Sequence, residues 1–240
     1  MCIRDSSKSL NQGRGAALLD RISCTACGKC VEVCYPNALR MAGTLTTVGE
    51  LVGEVVKDVQ FFRSSGGGVT LSGGEPAIQP EFSYNLLLAC AQQGIHTAME
   101  TTGYTRWEVL SKLASVTNLL LYDVKFIESN LHMRYTGVPN DLILKNLERL
   151  VTLGYEIQVR VPCIPGINDG VEEIKSITKF IGGLGIRSIA LLPFNPATGA
   201  KYQWIGRPFF MSDLRTQSKE YMEVLADIPR KERLHVQIGD

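Results

Sequence analysis

Missing from this chain is any apolar run approaching the ~18 residues of a membrane-spanning helix, so no such helix is expected. The polar opening MCIRDSSKSLNQGRG also lacks the apolar segment of a secretory signal, which points to the cytoplasm. Charge of neither sign dominates. The 25 Lys and Arg against 24 Asp and Glu leave a formal +1, and no long basic stripe is present. That argues against nucleic acid or an anionic membrane as the main partner. Histidine is scarce, at three residues. His132 is expected to order its own loop, and His96 and His235 to be structural. No Gly-Lys-Ser/Thr triplet follows the glycine-rich stretches, so a phosphate-binding P-loop is excluded. What is present is 45% apolar content over 240 residues, enough to bury the core of one barrel-sized domain or two small ones.

Disulfides are not expected either. The seven cysteines are an odd number, and Cys24, Cys27, Cys30 and Cys34 crowd together. Their spacing, C-x2-C-x2-C-x3-C, is the run by which bacterial ferredoxins hold 4Fe-4S clusters. Zinc is the rival, but zinc ribbons set two C-x2-C knuckles well apart. Two departures stand out: Tyr35 intervenes before Pro36, and the partner run of a two-cluster module is missing. Cys90 and Cys163 read as buried core thiols.

The chain is organised around Gly66 to Pro76, GGGVTLSGGEP, which puts a short apolar strand between two glycine groups. Gly73 and Gly74 fall where that strand ends, and lacking a Cβ they let a ligand reach the main chain. Glu75 adds a carboxylate there, and Pro76 can open the next turn with φ already set. A glycine-rich turn with a solvated Glu is the plain alternative.

Residues 1–16 show no periodicity and read as a tail; residues 17–45 read as a ferredoxin-like iron–sulfur segment in which Ala38 to Leu45 forms a hairpin. A capping box at Thr47 and Glu50 starts a helix that runs towards Phe62. Strands then alternate with helices over residues 46–240. Strands are expected at Val69–Ser72, His96–Glu100, Leu119–Lys125, Glu156–Pro162 and Ser188–Asn195, with a last helix over Ser212–Ala226 and a short LHVQI segment. This pattern requires a parallel sheet flanked by helices. Polar residues near the strand ends choose a barrel: Glu100 shares parity with Ala98, Asp123 and Lys125 with Leu121, Arg160 with Gln158, and Asn195 with Leu191. Together they are expected to line one mouth, the end where barrels of βα units keep their sites.

The motifs CTACGKCVEVC, GGGVTLSGGEP, METTGY, LYDVKF, HMRYTGVPN, VRVPCIPGIND and LLPFNPATGAKY, in this order, resemble the glycyl-radical enzyme activating proteins of the radical S-adenosylmethionine superfamily. The resemblance covers nearly all of the chain from about Leu18. It implies an α/β fold, a partial (β/α)6 TIM-like barrel with a ferredoxin-like insert after the first strand. That strand, and the C-x3-C-x2-C loop that holds the family's radical-generating cluster, have no counterpart among these residues. The chain is therefore read as an N-terminally shortened member.

In that family a reduced cluster donates one electron to S-adenosylmethionine, and the resulting 5′-deoxyadenosyl radical takes hydrogen from a glycine of the partner enzyme. The resemblance assigns Gly73, Gly74 and Glu75 to the methionine amino group, with Glu100 a further contact to it. Asp123, Val124, Lys125 and Phe126 form the strip along the ligand, Lys125 facing its carboxylate. Arg160 adds charge to the mouth, and Asn195 stands on the ribose or adenine side. The implied cofactors are S-adenosylmethionine and 4Fe-4S clusters, and the partners are a glycyl radical enzyme and a flavodoxin or ferredoxin electron donor. The alternatives are an iron–sulfur electron-transfer module and a non-catalytic binding remnant.

Overall fold

A computed structural model describes residues 10–13, 16–204 and 207–239. The expected tail at 1–9 and 14–15, and Cys2, lie outside the described residues. The chain divides into two compact units, one of Met1–Leu45 with Pro196–Asp213 and one of Thr46–Asn195 with Leu214–Asp240.

In the larger unit, α2 (Val48–Lys57) starts at the predicted capping box. Thr47 Oγ1 accepts the Glu50 N–H at 3.2 Å, and Glu50 Oε2 accepts the Thr47 N–H at 2.7 Å. Satisfying these otherwise orphaned donors is worth about 1 kcal/mol. The apolar face of α2 packs Leu51, Val52 and Val55 against Leu86, Cys90 and Ile95. The single helix expected from Thr47 to Phe62 is two, because the chain turns at Asp58 before α3 (Val59–Ser65).

Six parallel strands follow: β3 (Gly68–Leu71), β4 (His96–Thr101), β5 (Leu119–Asp123), β6 (Ile157–Pro162), β7 (Ser188–Leu192) and β8 (His235–Ile238). Each pairs with its successor in chain order. A doubly wound sheet would reverse strand order at a switch point, whereas sequential order is that of a part-barrel. The LHVQI segment is thus the sixth strand. Between the strands lie α4 (Pro80–Gln92), α5 (Trp107–Ala114), α6 (Ser129–Thr136), α7 (Asp141–Thr152), α8 (Val171–Leu184) and, before β8, α10 (Lys219–Lys231). The last helix begins seven residues later than expected, since the side chain that caps it is Ser218, accepting from the Tyr221 N–H at 3.2 Å. Helix α6 stands where a loop around His132 is expected, and Gly137, at φ 83°, ends it in a left-handed cap.

One parity of each strand enters the helix-side core. Met99, Leu120, Tyr122, Val124, Val159, Val161, Ile189 and Leu191 are buried there with Leu147, Ile177, Ile181 and Leu225 from the helices. Each such side chain contributes roughly 1.5 to 3 kcal/mol by leaving water. Gly103, at φ 68°, is required after β4 because a Cβ there would strike the Tyr122 ring, whose hydroxyl donates to Ile143 O at 2.7 Å.

In the smaller unit, β1 (Leu10–Gly13) and β2 (Ala16–Leu19) pair antiparallel. Leu10–Gly13 is therefore regular structure, contrary to the expected tail. Helix α1 (Lys29–Glu32) is one turn long, the expected hairpin between Ala38 and Leu45 is not formed, and α9 (Thr198–Trp204) is a helix the periodicity did not reveal.

Candidate functional site

The sheet's face opposite the helix-side core frames a cleft of about 430 Å³ lined by Thr70, Ser72, Glu100, Leu121, Gln158, Arg160, Ala190, Gln237 and Gly239. Parity puts them there: Thr70 lies beside Ala98, Glu100 beside Leu121, Leu121 beside Gln158, and Arg160 beside Ala190. Glu100 and Arg160 form an ion pair across it, with the Arg160 side chain 10% and that of Glu100 34% exposed. An unpaired guanidinium this far from water would be costly, so the carboxylate is what makes the position tenable.

Along β5 the alternation continues past the strand end. Asp123 and Lys125 are half-buried on the parity of Leu121 and pair at 2.8 Å, while Val124 and Phe126 are buried on the other. Val124 belongs to the helix-side core, and Phe126 stacks on Tyr135 at 5.5 Å between ring centroids. The expected ligand strip is thus two outward charges with two inward anchors. His132 lies within α6 and not in a loop; its Nδ1, 2.7 Å from Val138 O, carries the ring proton and ties the helix to the turn that follows it.

The glycine loop behaves differently from its sequence reading in one respect. Gly73 and Gly74 are exposed, Gly73 at φ 128°, and a Cβ built on either would meet nothing within 4 Å, so their main chain is open to approach. The Glu75 carboxylate is already engaged. It accepts from Ala77 N at 3.3 Å, Thr101 Oγ1 at 2.8 Å, Thr102 N at 2.9 Å and Thr102 Oγ1 at 2.8 Å. Each oxygen has two donors, which is close to its full capacity. Glu75 therefore ties the glycine loop to the METTGY loop, and what the loop leaves open to approach is its main chain.

Parity failed at β7. Leu191 is fully buried in the helix-side core and Ala190 lines the cleft, the reverse of the expected facing. The strand ends at Leu192, so alternation does not carry through Pro193 and Phe194 to Asn195, which is exposed. Sequence reasoning also missed Asn168, Asp169 and Gln217, whose side chains bond the loops at the ends of β5, β6 and β7. The first two lie in VPCIPGIND, where a turn-forming Pro-Gly followed by Asn-Asp was the available signal.

Cys24 and Cys30 are half-buried, Cys27 is exposed and Cys34 is buried. Among the described residues no three His, Cys, Asp or Glu side chains come together as a metal site. Cys24 Sγ accepts the Ala26 N–H and Cys34 Sγ the Leu39 N–H, each at 3.4 Å. Metal-binding loops take their final shape on the ion they hold, whereas the polypeptide alone sets the spacing. The mouth of the larger unit is a better match to its expected ligand. The Glu100–Arg160 pair in the cleft, the Asp123–Lys125 pair on the same parity and the open glycine main chain after β3 offer both signs of charge to a molecule bearing ammonium, sulfonium and carboxylate. No helix among the described residues is long and apolar enough to cross a membrane.

Comparison with known proteins identifies the family. The Radical SAM superfamily profile matches residues 34–181. The (2S)-3-sulfopropanediol dehydratase activating enzyme of Klebsiella oxytoca is 33% identical over 99% of this chain and 77% of its own length. The trans-4-hydroxy-L-proline dehydratase activating enzyme of Clostridioides difficile is 37% identical over 85% of this chain and 68% of its own. The choline trimethylamine-lyase activating enzyme of Oleidesulfovibrio alaskensis is 41% identical over 71% of this chain, which spans 56% of that relative's length. Among solved structures, a domain of pyruvate-formate lyase-activating enzyme from Bacteroides vulgatus superposes with a TM-score of 0.61 at 34% identity, covering 72% of this chain and 99% of that one. The chain belongs to the radical SAM superfamily, among its glycyl-radical enzyme activating enzymes.

Proposed function

We propose that this chain binds S-adenosylmethionine at the mouth of its part-barrel and acts in the activation of a glycyl radical enzyme, by reductive cleavage of that cofactor and hydrogen abstraction from a partner glycine. The observation that carries the reading is the grouping of two ion pairs, Glu100–Arg160 and Asp123–Lys125, on the cleft-facing parity of neighbouring strands. Convergent charged groups on the face that frames a cleft are the feature by which a binding site is recognised. In this reading the main chain at Gly73 and Gly74, with Glu100, receives the methionine ammonium. Lys125 exchanges part of its contact with Asp123 for the methionine carboxylate. Arg160, held by Glu100, sets the positive potential deeper in the cleft. Glu75 keeps the loop in place from behind. Bound cofactor supplies the radical chemistry; the chain supplies grip and orientation.

Cys24, Cys27, Cys30 and Cys34 are proposed to hold a 4Fe-4S cluster, on their spacing. Cleavage in this family uses a C-x3-C-x2-C loop, which has no counterpart in these 240 residues; towards that reaction they contribute the cofactor grip and the insert-type cluster. A cytoplasmic flavodoxin or ferredoxin is the proposed electron donor, and neither nucleic acid nor membrane is a proposed partner. Calorimetric titration with S-adenosylmethionine tests the reading: saturable binding is expected, and a folded chain that takes up none of it overturns the assignment.

A further inference from the structure

A continuous set of side-chain bonds crosses the ends of three strands. Asn168, 1% exposed, donates to Lys125 O at 3.1 Å beyond β5 and to Pro162 O at 2.8 Å at the end of β6, and accepts the Ile164 N–H at 2.7 Å. Its neighbour Asp169, 6% exposed, accepts from Gly166 N at 2.8 Å and from Gln217 Nε2 at 3.0 Å. Gln217 also donates to Cys163 O at 3.1 Å and accepts the Phe194 N–H at 2.9 Å beyond β7. Both primary amides thus spend both N–H donors and accept one bond each, and every main-chain group they hold lies at the same end of the sheet. A loop that needed only to close on itself would not require its Asn to reach across to the carbonyl of Lys125, 43 residues away in sequence.

We propose that Asn168 and Gln217 are positioning residues: they lock the main chain of Lys125 and of the segment leading to Asn195 against the loop after β6, so that the mouth is shaped before its ligand arrives. The proposal rests on reading the mouth as the S-adenosylmethionine site. Preorganisation raises affinity by removing ordering that binding would otherwise have to supply. Asn168 acts through Lys125, without touching the ligand.

The test uses the full chain and S-adenosylmethionine itself. Asn168→Asp keeps the acceptor for the Ile164 amide but sets a carboxylate oxygen against the Lys125 and Pro162 carbonyls. It is expected to weaken binding about tenfold. A purely structural role would lower affinity independently of Lys125, so the deciding readout is a double-mutant cycle. Asn168→Asp combined with Lys125→Ala should bind no more weakly than Lys125→Ala alone. Unchanged affinity in folded Asn168→Asp, or losses that add, overturn the proposal while leaving the site reading intact. No loss in Lys125→Ala overturns the site reading, and this proposal with it. Should Asn168→Asp fail to fold, Gln217→Glu at its half-buried position reads the second link. Weaker binding at an unchanged unfolding midpoint supports the proposal, and unchanged affinity overturns it.

Discussion

Glu75 accepts both the main-chain N–H and the hydroxyl of Thr102, at 2.9 and 2.8 Å, through the same carboxylate oxygen. Two loops from adjacent strand ends are joined at that atom, so the glycine-rich turn after β3 is held from behind while its main chain stays open in front. The acid of the motif is in this sense a strut for the glycines.

That division of labour separates two substitutions. Glu75→Gln turns one acceptor oxygen into a donor facing donors, and is expected to cost about 1 to 3 kcal/mol of stability. Gly73→Val forces a β-branched side chain to φ 128° on the open side of the loop, and is expected to lower S-adenosylmethionine affinity more than Glu75→Gln does. Thermal unfolding beside calorimetry separates the two; a Gln variant of wild-type stability would refute the strut.

The alternation along LYDVKF makes a second contrast. Lys125→Ala removes a half-buried charge on the cleft-facing parity and should weaken cofactor binding, by the roughly 1.5 to 3 kcal/mol of a hydrogen bond to a charged group, with little change in unfolding. Val124→Ala empties a site that is 1% exposed within the helix-side core and should cost about 1 to 3 kcal/mol of stability without a specific loss of affinity. A larger affinity loss in Val124→Ala at equal stability would reverse the facing of β5.

Alkaline pH should expose the burial of Cys163. Burial first, and then the nearby Asp169 carboxylate, push this thiol from 9.0 up to about 12. The folded state therefore favours the protonated thiol, so its contribution is fully present below about pH 9 and is lost as pH rises from there towards 12. Stability should fall across that window, and Cys163→Ala should flatten the fall while lowering the plateau for the cavity it leaves. An unchanged slope in the variant, measured by denaturant titration at several pH values, would remove Cys163 from the account.

Reconstitution under anaerobic conditions with iron and sulfide should give a brown protein, and Cys24→Ala, Cys27→Ala or Cys30→Ala should each lose most of the colour. Cys34, buried with its Sγ held by Leu39 N, is expected to show the smallest effect. A colourless wild-type protein carrying stoichiometric zinc after the same treatment would assign the run to a different metal.

Local chemistry was legible without coordinates. The capping box at Thr47, the parallel strands after each helix, the placement of Glu100, Asp123, Lys125 and Arg160 on one parity, and the inward Val124 all follow from periods of 2.0 and 3.6 that depend on a few neighbouring residues. Parity is a property of a strand only while the strand lasts, which is why it misjudged Asn195 beyond the end of β7 and the facing of Leu191. Long-range partners were decided by tertiary structure alone. That Glu75 spends its carboxylate on Thr101 and Thr102, 26 and 27 residues on, or that Asn168 reaches the Lys125 carbonyl, depends on which strand ends the parallel register brings together. Side-chain acceptors carry no mark in the sequence of the donor they will meet; the fold supplies that donor by placing strand ends side by side.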